Sequence, residues 1–297
     1  MEKFNEYLEE RFQQTLQNID KYVYFKTNIQ GMDFLYHYTD LNGILGIFNT
    51  KSLWASNAFF LNDSSEISYG LNLSHDLFNN FYQSLKSEKA KNILKNLYDD
   101  YSGFVLSSNL FLVSFCEDGD LLSQWRGYAL NSDGISLRFN LQVIRTLPQI
   151  NLYKVVYNKD EQSKIVNFLF VLLEDLMDYL EKTKTKSFLH YFNYWITIFT
   201  TIILTFKDNS FSEEKEWRLI YNHNAVGNNK SIEYRIRNNY ILPYIKIEKL
   251  NLMNLISSIL IGPSSNNQII TKSIKYFLDE KKYEHITVDN SRIPYRK

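Results

Sequence analysis

Apolar positions along the chain follow two periods, one typical of helices and one typical of strands. In residues 2–28 they recur every three or four positions, and the same spacing returns strongly in residues 165–180, so both segments are predicted to be amphipathic helices. Short apolar or alternating segments lie between the helical ones and are bounded by turn residues. The predicted strands are 34–38, 53–55, 110–116, 134–139, 153–157, 216–221, 231–236, 240–247, 256–261 and 285–288. This mixture of strands and helices predicts an α+β fold.

Further helices are indicated by capping residues. Thr39 or Asp40 can cap a helix over residues 41–48. Asn62 and Asp63 can cap another, and Glu66, three residues after Asp63, fits a capping box. Helices are also predicted up to about residue 101, over 121–129, and from Ser264 to about residue 281.

The organisation expected from this pattern is one domain. The chain has 297 residues without an internal repeat, a low-complexity stretch or a linker-like boundary. We therefore predict a single α+β domain over residues 1–297, with an N-terminal helix within residues 1–30 and a helical insertion at 160–206.

One uncharged segment has nearly the length of a membrane span. No charged residue occurs between Lys186 and Lys207. However, His190, Asn193 and several threonines would then lie in hydrocarbon, where polar groups are costly, so a buried helix is the better interpretation. The N-terminal residues also lack the apolar stretch of a signal peptide. A cytoplasmic protein without membrane contact is expected.

Composition excludes some classes of function. The 33 basic residues balance 33 acidic ones, which argues against a dedicated duplex nucleic-acid binder, although not against an enzyme acting on a nucleic-acid end. One cysteine and five histidines that show no His-x-x-x-His or similar spacing give no metal-ligand motif, so no metal is expected. The 22 Tyr and 21 Phe supply rings that could stack on a ligand, although core filling accounts for most of them.

The first candidate for chemistry is a histidine in a short aromatic strand. His37 and Thr39 are two positions apart, so they share one strand face while Tyr36 and Tyr38 point away. They lie at a strand end before a helix, a place where binding sites often form. The alternative is a structural histidine at a sheet edge.

The second candidate is a run of charges at the start of a late strand. Glu214, Glu216 and Arg218 would share one face, and the two carboxylates would repel unless Arg218 or Lys207 compensates them. A salt-bridged surface strand is the alternative. A Glu-x-Lys spacing like the one in this run also occurs in metal-dependent nucleases.

The third candidate is a pair of aromatic residues on a short helix. Trp125 and Tyr128 are three positions apart and lie side by side, so they could stack on a planar ligand or fill the core. Asp118 and Asp120 precede them. These two carboxylates could hold a metal, but a solvated turn explains them better.

Taken in order, these segments resemble a bacterial family, the domain of unknown function 2971. The resemblance spans about residues 34–289. The matching blocks are Leu35-Tyr36-His37-Tyr38-Thr39 with Gly43-Ile44-Leu45, then Leu53-Trp54-Ala55-Ser56 through Asn62-Asp63 and Glu66, Val113-Ser114-Phe115-Cys116 with Gln124-Trp125 and Tyr128, Gly134 to Phe139, Phe206-Lys207 with Phe211, Glu214 and Glu216-Trp217-Arg218-Leu219, and Ile261-Gly262-Pro263.

That family is more distantly similar to the ADP-ribosyltransferase superfamily. This resemblance implies a mixed or antiparallel split sheet and NAD as the substrate. It implies that His37 bonds the adenosine ribose beside Thr39, and that Glu216, in the Glu-x-Glu arrangement with Glu214, stabilises the oxocarbenium-like transition state. Tyr38 stands where those enzymes usually carry glycine. The other implied NAD contacts are Tyr128 or Trp125 as the stacking ring, Asn62 and Arg218.

The expected function is therefore an NAD-using ADP-ribosyltransferase-like enzyme or NAD glycohydrolase. The habit of such families implies a bacterial toxin or a phage-defence (antiviral) effector, with a protein or nucleic acid as the acceptor. Two alternatives stay open. One is a non-catalytic module that senses a nucleotide or a partner, and the other is a metal-dependent nuclease using Asp63, Glu214 and Lys215.

Overall fold

The fold was analysed in a computed structural model. It describes residues 2–23, 31–60, 64–85, 88, 91–92, 95–96, 110–128, 134–147, 151–183, 187–223, 230–237, 239–264 and 266–294. Within these ranges the chain is a mixed α+β structure built on one open sheet, as the sequence predicts.

Ten strands are present in the described part. They are β1 (Phe34–Thr39), β2 (Leu53–Asn57), β3 (Leu110–Cys116), β4 (Ile135–Asn140), β5 (Asn151–Lys154), β6 (Glu216–Asn222), β7 (Glu233–Arg237), β8 (Tyr240–Ile247), β9 (Ile256–Ile261) and β10 (Thr287–Asn290). The predicted bounds of β3, β8 and β9 are confirmed. The strand predicted at 153–157 lies earlier, at Asn151–Lys154 (β5), and the last strand begins at Thr287 rather than at residue 285.

The helices fill the connections. They are α1 (Glu2–Val23), α2 (Leu41–Thr50), α3 (Ser64–Ser84), α4 (Leu122–Tyr128), α5 (Leu141–Arg145), α6 (Lys159–Thr183), α7 (Ser187–Ile203), α8 (Leu252–Leu255) and α9 (Asn267–Glu280). Two 3-10 turns, Ala58–Phe60 and Asn209–Glu214, precede α3 and β6. The predicted cap of α2 is confirmed, since the Asp40 carboxylate accepts a hydrogen bond from the Gly43 N–H. The predicted Ser264 cap of α9 is wrong, because the N-cap is Asn266.

The strand order runs β10-β9-β4-β1-β3-β2-β8-β7, with β6 on the other edge of β3 and β5 beyond β6. The described strand pairs are antiparallel except β9 with β10. The sheet is therefore mixed and largely antiparallel, which agrees with the mixed or antiparallel sheet that the resemblance implies.

Strand β3 has one fully paired edge and one shared edge. Strand β6 pairs with it from Leu110 to Cys116. On the opposite edge β2 pairs only with Phe111 and Leu112, and β1 pairs only at Cys116. The sheet therefore opens between β1 and β2, beside residues 113–115, and we call this opening the gap.

Apolar side chains are buried on both faces of the sheet. On one face, which we call the helical face, Leu112 and Ile220 join a core formed with α1, α3, α6 and α7. On the other face, Phe111 and Trp217 join a core that includes residues of α2, α8 and α9. Burial of both faces follows from strand sequences that are apolar at successive positions, such as Leu-Phe-Leu-Val in β3.

The uncharged segment forms a helix, as predicted, but only one face of it is buried, and His190, Asn193 and Tyr194 are exposed. In α7, Phe199 is buried, and the Trp195 indole donates a hydrogen bond to the Leu169 carbonyl of α6. Within the described ranges, no helix combines the length and apolarity that crossing a bilayer would require.

Candidate functional site

A cavity of about 410 Å³ lies at the gap between β1 and β2. This volume is in the range of small-molecule sites, roughly 300–1,000 Å³. We call it the gap cavity. The described residues that line it are His37, Tyr38, Thr39, Asp40, Asn42, Gly43, Ile47, Trp54, Ser56, Leu112, Val113, Ser114, Arg235 and Ile236.

His37 is positioned on β1 by contacts with β3 and β4. Its Nδ1 lies 2.9 Å from the Ser114 carbonyl oxygen. Because a carbonyl oxygen can only accept, Nδ1 carries the proton and donates, which makes Nε2 an acceptor in the neutral imidazole. The ring also lies 5.6 Å from the Phe115 ring and 6.3 Å from the Phe139 ring, centre to centre. These contacts fix its orientation.

The entry to α2 contributes polar groups next to His37. Thr39 and Asp40 line the cavity, and Asp40 is also the helix cap. Glycine at position 43 leaves room for the Thr39 hydroxyl, which a Cβ there would overlap. As predicted, Thr39 shares the His37 face, while Tyr38 turns the other way and packs against Trp125.

Arg235 reaches the cavity from β7. Its Nη2 donates to the Ser56 hydroxyl at 2.9 Å. The guanidinium carbon lies 5.4 Å from the Trp54 ring centre and 5.5 Å from that of Tyr244, and these two rings stack at 4.9 Å. A cation held over aromatic rings gains electrostatic stabilisation, so this guanidinium is fixed in place.

Glu216 belongs to a buried ionic cluster on the helical face. Arg218 donates to both of its carboxylate oxygens, through Nε at 2.8 Å and Nη2 at 2.8 Å. Lys207 Nζ lies 3.2 Å from Glu216 and 2.7 Å from Glu214. Arg218 also donates to the Leu204 carbonyl. The four charged side chains sum to zero, and Glu216 is only 4% exposed.

The cluster keeps Glu216 ionised. Burial alone would raise the pKa of its carboxyl group, but the attraction of Arg218 and then of Lys207, with hydrogen bonds from Arg218 and from the Ser114 hydroxyl, lowers the pKa to about 2. The predicted compensation of the two carboxylates by Lys207 and Arg218 is therefore found in the structure.

His37 and Glu216 lie on opposite faces of the sheet. Tyr36 pairs with Cys116, and Cys116 pairs with Glu216, so these three side chains share the helical face. His37 is next to Tyr36 and so points to the other face. The structure thus does not bring His37 and Glu216 into one crevice, and Glu216 is not among the residues lining the gap cavity.

Ser114 connects the two groups. Its carbonyl accepts from His37, its hydroxyl donates to Glu216, and the residue itself lines the cavity. Glu216 is therefore one hydrogen bond away from a residue that lines the cavity.

The remaining predicted site residues fall elsewhere. Glu214 is not on the strand, because a 3-10 turn ends at Glu214 and Lys215 adopts a left-handed conformation (φ 42°) before β6 begins. Arg218 is 3% exposed and Trp125 fully buried, and neither lines the gap cavity. The Trp125 indole donates to Asp120 at 2.7 Å, so it fills the core.

Other predicted residues lie outside the described part of the chain. They are Asn62, Asp63 and the side chains of Glu66 and Tyr128. Among the described residues no group of three or more His, Cys, Asp or Glu side chains is arranged to hold a metal ion. Asp120 instead accepts hydrogen bonds from Ser291 and from the Arg292 N–H.

Sequence reasoning did not single out Arg235, Asp40 or Ser56 as site residues. Asp40 was predicted only as a cap. A strand is predicted over residues 231–236, but nothing in that segment indicates that Arg235 reaches two strands away.

Comparisons with known proteins add one finding. No curated protein and no solved structure matches the chain. Residues 124–219, from α4 through most of β6, match the model of a family described as protein of unknown function, DUF2971, which confirms over this stretch the family resemblance noted from the sequence.

Proposed function

We propose that the chain binds a nucleotide in the gap cavity and that this nucleotide is NAD. The proposal is supported by the groups that line this one cavity, an imidazole, a hydroxyl, a carboxylate and a guanidinium, at His37, Thr39, Asp40 and Arg235. The first three can hydrogen-bond ribose hydroxyls, and a guanidinium suits phosphate. The gap between β1 and β2 also supports the proposal that the sheet is a split sheet of ADP-ribosyltransferase type.

Replacing His37 by alanine tests the binding proposal. The change removes an acceptor for a ribose hydroxyl, and we expect NAD affinity to fall about tenfold, the effect of one hydrogen bond. His285→Ala is the matched control, because His285 is exposed and outside the cavity. Isothermal titration with both variants, each checked for folding by circular dichroism, measures the effect. Equal NAD affinity of His37→Ala and wild type contradicts the proposal.

The proposed reaction is cleavage of the bond between nicotinamide and its ribose, either as ADP-ribosyl transfer or as NAD hydrolysis. Nicotinamide leaves with the bonding electrons, the ribose carbon becomes positively charged, and water or an acceptor then attacks it. Ser114 lines the cavity, and Glu216 positions its hydroxyl. A nearby permanent carboxylate favours the developing positive charge.

Release of free nicotinamide from NAD measures this reaction. Glu216→Gln should reduce turnover more than binding, because it removes the negative charge while the cavity lining stays intact. Full NAD turnover by Glu216→Gln would show that the mechanism is wrong. Loss of viability on expression of the wild type but not of this variant would support the toxin or defence role.

A second function, a sensor that binds the nucleotide without cleaving it, is favoured by a specific observation. The Glu216 carboxylate is paired on both oxygens and lies on the sheet face opposite His37. Because Arg218 and Lys207 compensate the charge of this carboxylate, its electrostatic field at the cavity is weak. Tight NAD binding without nicotinamide release would establish the sensor.

A further inference from the structure

We infer that Arg235 is the phosphate-binding group of the gap cavity, so that the cavity selects phosphorylated nucleosides over free nucleosides. The inference rests on the proposed nucleotide binding and adds to it the part of the ligand that is recognised. It also assigns a role to a strand, β7, that the family match does not cover.

The Arg235 side chain spans the width of two strand spacings. Strand β7 pairs with β8, and β8 pairs with β2, so β7 and β2 lie about 10 Å apart. Arg235 nevertheless donates to Ser56 on β2. Its guanidinium lies close to the rings of both Tyr244 on β8 and Trp54 on β2. An extended arginine therefore carries the positive charge from the sheet edge to the gap.

The surroundings hold this guanidinium before a ligand arrives. Trp54 is itself fixed, since its indole donates to the Thr50 hydroxyl at 3.3 Å and its ring stacks on Tyr244. Arginine has about 2 kcal/mol of rotamer entropy, and this cost is met during folding when packing fixes the side chain. A preorganised group binds its ligand more tightly than a mobile one.

A phosphate is the ligand chemistry that suits this arrangement. A guanidinium has five N–H donors in a planar fork, so it can hydrogen-bond Ser56 and a phosphate at the same time. Asp40, on the β1 side of the gap, would repel a phosphate there but can accept from hydroxyl groups. The two charges therefore place the phosphate at Arg235 and the sugar towards β1.

The experiment compares two ligands on four proteins. Adenosine and ADP-ribose share the nucleoside, and ADP-ribose adds the diphosphate and a second ribose. Both are titrated into wild type, Arg235→Gln, Arg235→Lys and Arg138→Gln. Arg138 is a close control, because it also donates to a serine hydroxyl, that of Ser257, and lies over a ring, that of Phe34 at 4.3 Å, but does not line the cavity.

We expect wild type to bind ADP-ribose at least tenfold more tightly than adenosine. Arg235→Gln should lose about 10-fold to 100-fold in affinity for ADP-ribose and change adenosine binding less than threefold, since charge-assisted bonds are lost only with the phosphorylated ligand. Arg138→Gln should bind both ligands like wild type. Arg235→Lys should recover part of the loss, because it restores the charge without the fork.

The outcomes separate this inference from the proposal beneath it. Unchanged ADP-ribose affinity in Arg235→Gln overturns the inference, as does equal affinity of wild type for the two ligands, while nucleotide binding itself stands. If wild type binds neither compound, the proposed function fails and the inference with it. A loss of both ligands in Arg235→Gln overturns the phosphate assignment and makes Arg235 a structural residue.

Discussion

Replacing Glu216 by glutamine should destabilise the protein by about 3 kcal/mol. The pKa of the carboxyl group falls from its ordinary value of 4.5 to about 2. At about 1.4 kcal/mol for a tenfold change in proton affinity, the ionised group contributes about 3 kcal/mol at neutral pH. Removing one partner of a buried ion pair costs a similar amount, about 3–5 kcal/mol, because Arg218 is then left in a buried site with less negative charge.

Urea unfolding followed by tryptophan fluorescence at pH 7 measures this loss. The matched control is Glu233→Gln. Glu233 and Lys246 are as close as Lys207 and Glu214, at 2.7 Å, but the Glu233 side chain is 39% exposed. Water screens exposed pairs, so the control should lose no more than about 1 kcal/mol.

The pH dependence gives a second check on the same reasoning. The folded-state pKa of Glu216 is lowered, so its contribution to stability is fully present above about pH 4.5 and is lost as the pH falls towards 2. The difference between wild type and Glu216→Gln should therefore narrow over that interval. A difference under about 1 kcal/mol at pH 7, or one that stays constant down to pH 3, would refute the assignment.

Two further substitutions test the packing around the site and the cluster. Gly43→Ala places a methyl group where the Thr39 hydroxyl lies, so NAD affinity measured by titration calorimetry should fall several-fold. This loss is expected although alanine stabilises the helix by about 1 kcal/mol relative to glycine. Unchanged affinity would exclude Thr39 as a ligand contact. Gln162→Leu removes the side-chain amide donor of the buried Lys207 carbonyl, while the Val156 carbonyl keeps the Lys207 N–H as a donor. It should cost about 1–3 kcal/mol in urea unfolding, and a cost near zero would mean that another donor replaces Gln162.

Local patterns predicted most of the strands and helices because each pattern depends on neighbouring residues alone. The strand predicted at 240–247 matches β8 at both ends, and the Asp40 cap predicts the start of α2. The α9 cap was missed because serine and asparagine both favour caps, and all three residues at 264–266 are of these two types. Which of these residues caps the helix depends on the path of the chain after the end of β9.

The site was predicted in part for a related reason. His37 and Thr39 are two residues apart, so one strand is enough to place them together, and both line the cavity. Arg235 joins them only because β8 lies between β7 and β2. The order of strands in the sheet is a long-range property that the composition of β7 does not contain.

Whether His37 and Glu216 share a face depends on register, and register is what the sequence leaves open here. Apolar periodicity normally identifies the buried face of a strand, but helices cover both faces of this sheet, so both faces are apolar. Alternation then shows that Glu216 and Arg218 point to the same face, without showing which face it is.

The pairing of Tyr36 with Cys116 decides on which face His37 lies relative to Glu216. A slip of one residue, placing His37 opposite Cys116, would have turned the imidazole towards Glu216. With the observed register, the hydrogen-bond route that the described residues provide from the acid to the cavity passes through the Ser114 hydroxyl. For this reason Ser114→Ala should remove the effect of Glu216 on NAD turnover while leaving the ionic cluster in place.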